Sequence, residues 1–336
     1  MNIIDKIFSG IAAFLALLSG IFSPTEPINN QQTSISVNPL TIQAMRQVNY
    51  PGSAITIEET LTPEKTYNRY IVSYDSAGLK NFALLLVPMS AKPQNGYPVI
   101  ILNHGYIIPE KYTPDGNYIA YADAFAKEGY IVFKPNYRGN GKSQGFPTSS
   151  YFAPDYTEDV LNAISSIKKY KDANPGKIGV WGHSMGGSIT LRALTINPKD
   201  IKAAAIWGGV VGSYDDIINN WQERVSYKPN TEDLMLRYKN LNVLVGAFGT
   251  PEKNPDFWNS VDPSFFVGDI TAPVQISVGL MDNQVPPDFS KSLYDKLKTA
   301  KKVVEYYEYP DSNHDINQSF TLAMKRTIDF FNRNLK

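Results

Sequence analysis

From Ser53 onward the apolar positions of this 336-residue chain fall into two regimes. Residues 55–60, 69–74 and 82–88 are β-rich runs broken by proline and glycine, and they predict antiparallel strands. Residues 98–102 are apolar almost without interruption, the pattern of a strand buried on both faces. Strand and helix then alternate, with helix at 118–128, strand at 130–134, helix at 156–170, strand at 178–181, helix at 185–194 and strand at 203–207. This alternation predicts an α/β fold, a mostly parallel central sheet with helices on both faces. In the helix at 156–170, Asp155 and Glu158 make a capping-box-like start, and Val160, Ile164 and Ile167 fall on one face.

Two segments depart from this rhythm. Residues 211–268 carry Trp221, Phe248, Phe257, Trp258, Phe265 and Phe266 among polar helix formers, before strands resume at 274–278 and 303–309. An aromatic, partly helical insertion there is expected to form a small cap over the carboxyl edge of the sheet, where open α/β sheets bind ligands. Trp221, Phe248 and Trp258 are its candidate substrate-binding residues, although aromatics of this kind also hold a small helical subdomain together. At the other end, residues 7–22 are uncharged and mostly apolar, after Asp5 and Lys6. Apolar all round, they read as a signal peptide or an uncleaved membrane anchor over 1–22, so the protein is expected to be exported or membrane-anchored. Residues 23–52 are rich in Pro, Asn, Gln, Ser and Thr and read as a polar spacer. The catalytic domain is then expected over 53–336.

Composition narrows the partners. Lys plus Arg and Asp plus Glu both number 32, and the zero formal charge gives no electrostatic reason to expect nucleic acid. With no cysteine, disulfides, thiolate chemistry and zinc–thiolate sites are all excluded.

The chemistry concentrates at Gly182-His183-Ser184-Met185-Gly186, between an apolar strand and a glycine-rich helix start. This is the G-x-S-x-G elbow, in which small neighbours let the chain close tightly around an exposed serine. The following helix turns its free N–H groups toward the site, favouring negative charge there. Ser184 is the candidate nucleophile, and it needs a base. The chain has three histidines. His183 flanks the serine and is expected to point away from it. His104 lies in a loop better suited to supplying oxyanion donors. His314, after the last strand, is left as the base, since histidine changes charge near neutrality. Asp282 lies at the centre of the loop after strand 274–278 and is the candidate orienting acid, which completes the chain order Ser, Asp, His.

With Asn103-His104-Gly105-Tyr106, Tyr137-Arg138-Gly139-Asn140-Gly141, Met281-Asp282-Asn283-Gln284 and Ser312-Asn313-His314, the elbow resembles the catalytic domain of prolyl oligopeptidase-type α/β hydrolases and their stand-alone esterase relatives. The resemblance covers roughly residues 60–334 and implies the α/β-hydrolase fold. It also implies an oxyanion hole from the Met185 backbone N–H and the turn at Gly105 and Tyr106, with no cofactor and no metal. In the prolyl oligopeptidases proper a tyrosine hydroxyl donates near the position held here by His104. The expected activity is hydrolysis of a small ester or short peptide through an acyl-enzyme, with an esterase favoured over a peptidase. A non-catalytic binding module of the same fold is the contrasting reading, which covalent labelling of Ser184 by a fluorophosphonate would exclude.

Overall fold

The computed structural model describes residues 38–148, 151–221 and 231–336. The leader expected over 1–22 lies outside the described residues. Among the described residues, no helix is long and apolar enough to cross a membrane.

Nine strands form one sheet: β1 (Thr56–Leu61), β2 (Tyr67–Ser76), β3 (Leu79–Pro88), β4 (Tyr97–Asn103), β5 (Ile131–Pro135), β6 (Ala173–His183), β7 (Ile201–Trp207), β8 (Val274–Gly279) and β9 (Val304–Tyr309). Their spatial order is β1-β2-β3-β5-β4-β6-β7-β8-β9. The first three strands and β5 pair antiparallel, and every pairing from β5 through β4 to β9 is parallel. Strand β4 lies in the middle, and all seven of its residues are buried. Val99 and Ile101 face one hydrophobic layer, and Ile100 and Leu102 face the other. Both sides of this strand meet core, so its sequence shows no polar alternation.

Among the described residues the α-helices are α1 (Ile42–Met45), α2 (Ile119–Lys127), α3 (Asp155–Ile167), α4 (Met185–Ile196), α5 (Thr231–Phe248), α6 (Pro255–Val261), α7 (Pro287–Thr299) and α8 (Phe320–Leu335). On one face, α3, α4 and α7 contribute Val160, Ile164, Ile167, Ile189, Leu194, Phe289 and Leu293 to the core. On the other, α2 and α8 contribute Ala122, Phe125, Met324, Phe330 and Phe331. Between β7 and β8 the chain leaves the sheet to build α5 and α6, the helical insertion expected near 211–268.

The spacer and the capping box need correction. Within the expected spacer, α1 buries Ile42 and Met45 in the core, and Thr41 caps it by accepting the Ala44 N–H at 3.1 Å. Arg46 then donates to the Thr195 carbonyl at 2.8 Å and pairs with Asp269 at 2.7 Å. A four-residue helix with two apolar anchors is too short to show a period, so the packed region begins earlier than composition suggests.

The capping box is absent, because α3 starts after Pro154 with no side-chain cap. Its acids instead hold Arg138, whose guanidinium pairs with Asp155 at 3.0 Å, Glu158 at 2.7 Å and the fully buried Asp159 at 2.7 Å. Asp159 also accepts from Ser76 at 2.8 Å, Asn81 at 3.1 Å and the Arg138 backbone N–H at 2.8 Å. The cluster therefore ties the loop after β5 to α3 and the β2–β3 hairpin. Removing one partner of such a pair leaves a buried charge uncompensated, so Arg138→Leu is expected to cost about 3–5 kcal/mol of stability. Lys92→Ala, which breaks the more exposed pair with Asp172, should cost under about 1 kcal/mol. Urea midpoints at unchanged m-value check both.

Candidate active site

Ser184 stands between β6 and α4 with φ 56° and ψ −121°, a left-handed, strained conformation for a residue with a side chain. The surroundings hold it there: its N–H donates to the Trp207 carbonyl at 3.0 Å, and its carbonyl accepts the Gly187 and Val210 N–H groups at 2.9 and 3.1 Å. Both motif glycines are needed for close approach. A Cβ on Gly182 would stand 2.3 Å from the Gly186 carbonyl oxygen, and one on Gly186 would stand 2.0 Å from that of Asn103. The elbow is thereby pressed against the end of β4. Ser184 is half-buried, and its immediate neighbours are buried.

Asp282 and His314 come from the turns after β8 and β9 and meet at 2.7 Å, through Oδ2 and Nδ1. The other carboxylate oxygen, Oδ1, accepts the Gln284 and Val285 N–H groups at 2.8 and 2.9 Å. An ionised carboxylate only accepts, so His314 carries its hydrogen on Nδ1 and leaves Nε2 as an acceptor. Gly208, just beyond β7 at φ 48°, makes room for the pair, since a Cβ there would lie 3.3 Å from His314 Nδ1 and 3.4 Å from Asp282 Oδ2.

The Asn103–Tyr106 turn reaches the nucleophile at Gly105, where a Cβ would come within 3.1 Å of the Ser184 Cβ and 2.4 Å of the Tyr118 hydroxyl. Burial raises the Tyr118 phenol well above its usual range. Tyr118 packs its hydroxyl against Gly105, in the turn expected to supply an oxyanion donor. Met185 opens α4, where N–H groups have no partner within the helix, and Tyr106 is half-buried beside the turn.

His104 is an internal strut. Its ring stacks between Tyr112 and Tyr137, at 4.7 and 4.3 Å between centroids, and its Nδ1 meets the Gly105 carbonyl at 2.7 Å. Burial, with the Lys134 ammonium nearby, pushes it down to about 3. His183 is also buried. Its Nδ1 meets the Tyr118 hydroxyl at 2.6 Å, and its Nε2 meets the His314 carbonyl at 3.2 Å. Burial, with His314 alongside, pushes it down to about 4. Tyr118, His183 in this bracing position and Gly208 are what sequence reasoning missed, because nothing local marks them.

The cap residues divide. Trp258 is buried in the core beside the cap, and Phe248 is half-buried and packs against it. The Trp258 indole donates to the Gly249 carbonyl at 2.9 Å and packs edge-on against Phe152, Tyr214 and Phe257. Phe248 stacks on Phe257 at 3.9 Å. Trp221 reaches further, donating to the Gln284 carbonyl at 2.7 Å, within the Asp282 loop, and packing against Tyr151. Among the described residues no cluster of His, Asp or Glu is arranged to hold a metal.

A doubly covered parallel sheet with a strained serine after a central strand is the architecture of the α/β hydrolases. The solved structures it resembles include the acylaminoacyl peptidase of Pyrococcus horikoshii, with TM-score 0.62 and 23% identity over 81% of this chain and 42% of that one. The acetyl xylan esterase of Paenibacillus sp. R4 matches with TM-score 0.64 and 18% identity over 90% of this chain and 96% of that one. The sequence profile of the prolyl oligopeptidase family matches residues 118–336. The uncharacterized peptidase YtmA of Bacillus subtilis (strain 168) is 30% identical over 75% of this chain and 88% of its own length. The protein is thus an α/β-hydrolase-fold serine hydrolase. It belongs to the prolyl oligopeptidase family.

The buried His104 also makes a prediction about acid stability. Its folded pKa of about 3 lies below the unfolded value of about 6.5, so the unfolded chain takes the proton first and stability is lost as pH falls from 6.5 toward 3. His104→Phe, which keeps the stacking but cannot titrate, should flatten the dependence of unfolding free energy on pH in that window by about 1.4 kcal/mol per pH unit. Urea titrations at several pH values measure the two slopes.

Proposed function

We propose that the protein hydrolyses carboxylic esters through an acyl-enzyme, with Ser184 as nucleophile, His314 as general base and Asp282 as its orienting partner. The observation that carries this reading is the 2.7 Å contact between Asp282 and His314 Nδ1, a pair that follows β8 and β9 at the same carboxyl edge of the parallel sheet where Ser184 follows β6. Ser184 Oγ attacks the substrate carbonyl as His314 Nε2 takes its proton. The carbonyl oxygen becomes an oxyanion, stabilised by the Met185 and Tyr106 N–H groups. Collapse expels the alcohol, which takes the proton back from His314, and water then repeats the sequence to release the acid.

Preference for esters is supported by the near end-to-end match to the Paenibacillus acetyl xylan esterase, against 42% of the Pyrococcus peptidase. A peptide must be held in register and its leaving amine protonated, and both draw on binding energy away from the scissile bond. The name of the Bacillus relative favours the second reading, a peptidase of short substrates. The apolar run at 7–22 supports export or anchoring at a membrane, with the hydrolase domain carried beyond it.

Ser184→Ala and His314→Ala are each expected to lower kcat/KM by about a thousandfold or more, and Ser184→Ala to abolish fluorophosphonate labelling. Retained turnover in the folded Ser184→Ala protein would sink the assignment. Short-chain or aromatic p-nitrophenyl esters should exceed prolyl amides in kcat/KM by about a hundredfold, or about 2.7 kcal/mol in transition-state stabilisation. A prolyl amide cleaved as fast would reverse the preference. Deleting residues 1–37 should release a soluble, active domain, because Asn38–Lys336 forms a compact unit that holds the sheet and the candidate site. Gel filtration and ester turnover of the truncated protein check this.

A further inference from the structure

The geometry points to Tyr118 and His183 as positioning residues that lock the oxyanion turn and the catalytic base into one frame. This inference rests on the triad proposed above.

Two hydrogen bonds and one close packing contact run in line from the oxyanion turn to the base. Gly105 lies against the Tyr118 hydroxyl, which a Cβ there would meet at 2.4 Å, the hydroxyl meets His183 Nδ1 at 2.6 Å, and His183 Nε2 meets the His314 carbonyl oxygen at 3.2 Å. The roles follow from the terminal acceptor. A carbonyl only accepts, so His183 carries its hydrogen on Nε2, its Nδ1 accepts from Tyr118, and the phenol oxygen is held against the Gly105 Cα. Each bond is thereby directed, and the line requires His183 to be neutral, as its burial favours.

The two ends of the line are the two parts of the site that must agree in position. The Gly105 peptide sets the direction of the turn that carries the Tyr106 N–H. The His314 carbonyl fixes the backbone from which the imidazole hangs, and the His183 and His314 rings lie 4.6 Å apart between centroids. Tyr118 is itself held, at φ 60° as the N-cap of α2, with the buried Lys134 ammonium donating to the Asn117 carbonyl just before it. Its ring packs against Tyr121 and Trp181. Neither residue reaches a reacting atom in this scheme. They act by keeping donor and base in register, a function for which errors near an ångström are costly.

The test uses Tyr118→Phe, His183→Leu, His183→Gln and the double variant Tyr118→Phe/His183→Leu, assayed on p-nitrophenyl acetate beside Ser184→Ala and His314→Ala. Glutamine can still accept from Tyr118 and donate to the His314 carbonyl. Tyr118→Phe and His183→Leu are each expected to lower kcat by about ten- to hundredfold with KM changed less than about threefold. His183→Gln should recover most of the loss, and the double variant should fall no further than the worse single. The fluorophosphonate inactivation rate at Ser184 should follow kcat. Unchanged kcat in both single variants, a loss confined to KM, multiplicative losses in the double variant, or no recovery with glutamine would each overturn the inference. Should His183→Leu fail to fold, Tyr118→Phe decides, since it removes only a hydroxyl: an unchanged kcat overturns the inference and a tenfold loss at unchanged KM upholds it. Turnover surviving in Ser184→Ala would instead overturn the triad, an outcome separate from any behaviour of the positioning pair.

Discussion

The conformation of one residue governs the rest of this site. Ser184 is held at a positive φ by backbone bonds from the end of β7 and from the chain just beyond it, while Gly186 presses against the end of β4. An L-residue in that region is unfavourable by about 1–3 kcal/mol and persists where its surroundings over-determine it. The price is met by neighbours that also do other things. Trp207, whose carbonyl takes the serine N–H, anchors its indole on Thr327 in α8 at 3.0 Å. Gly208, the next residue, leaves space for the Asp282–His314 pair. Strain at the serine and room for its partners are thus set by consecutive residues of one strand end.

Much of the fold was legible because its signals are local. The run at β4 is apolar throughout since both its faces meet core, and the alternation that follows can close only as a parallel sheet with helices on both sides. The elbow was legible because a turn this tight demands glycine on either side. Asp282 and His314 were singled out by chain order, each in a turn after a sheet strand, and the structure brings their side chains into contact. Tyr118 and His183 were not legible as a pair. They are 65 positions apart, and His183 lies 131 from the carbonyl it holds. For Phe248 and Trp258 the sequence does not decide, because an aromatic looks alike whether it lines a pocket or fills a core. Asp155 and Glu158 carried a true spacing with the wrong partner, since an acid in a first helical turn serves a buried arginine as readily as its own backbone.

The insertion between β7 and β8 packs Trp258 into the sheet's own core with Tyr214 and Phe152, and lays Phe248 and Phe257 half-buried against it. Trp221 differs in kind. Its indole bonds the main chain of the loop that carries Asp282, so one side chain couples the cap to the acid side of the site.

Asp282 has no rotational freedom left. One oxygen closes the turn by accepting two successive backbone N–H groups, and the other accepts from His314. A carboxamide at this position would have one acceptor for three donors. With its oxygen toward the turn, its NH2 would confront the imidazole and favour the opposite tautomer; reversed, it would crowd donors against the main chain and loosen the loop. Shape alone is therefore no substitute for the carboxylate, because the turn and the base make the same electrostatic demand on it from opposite sides.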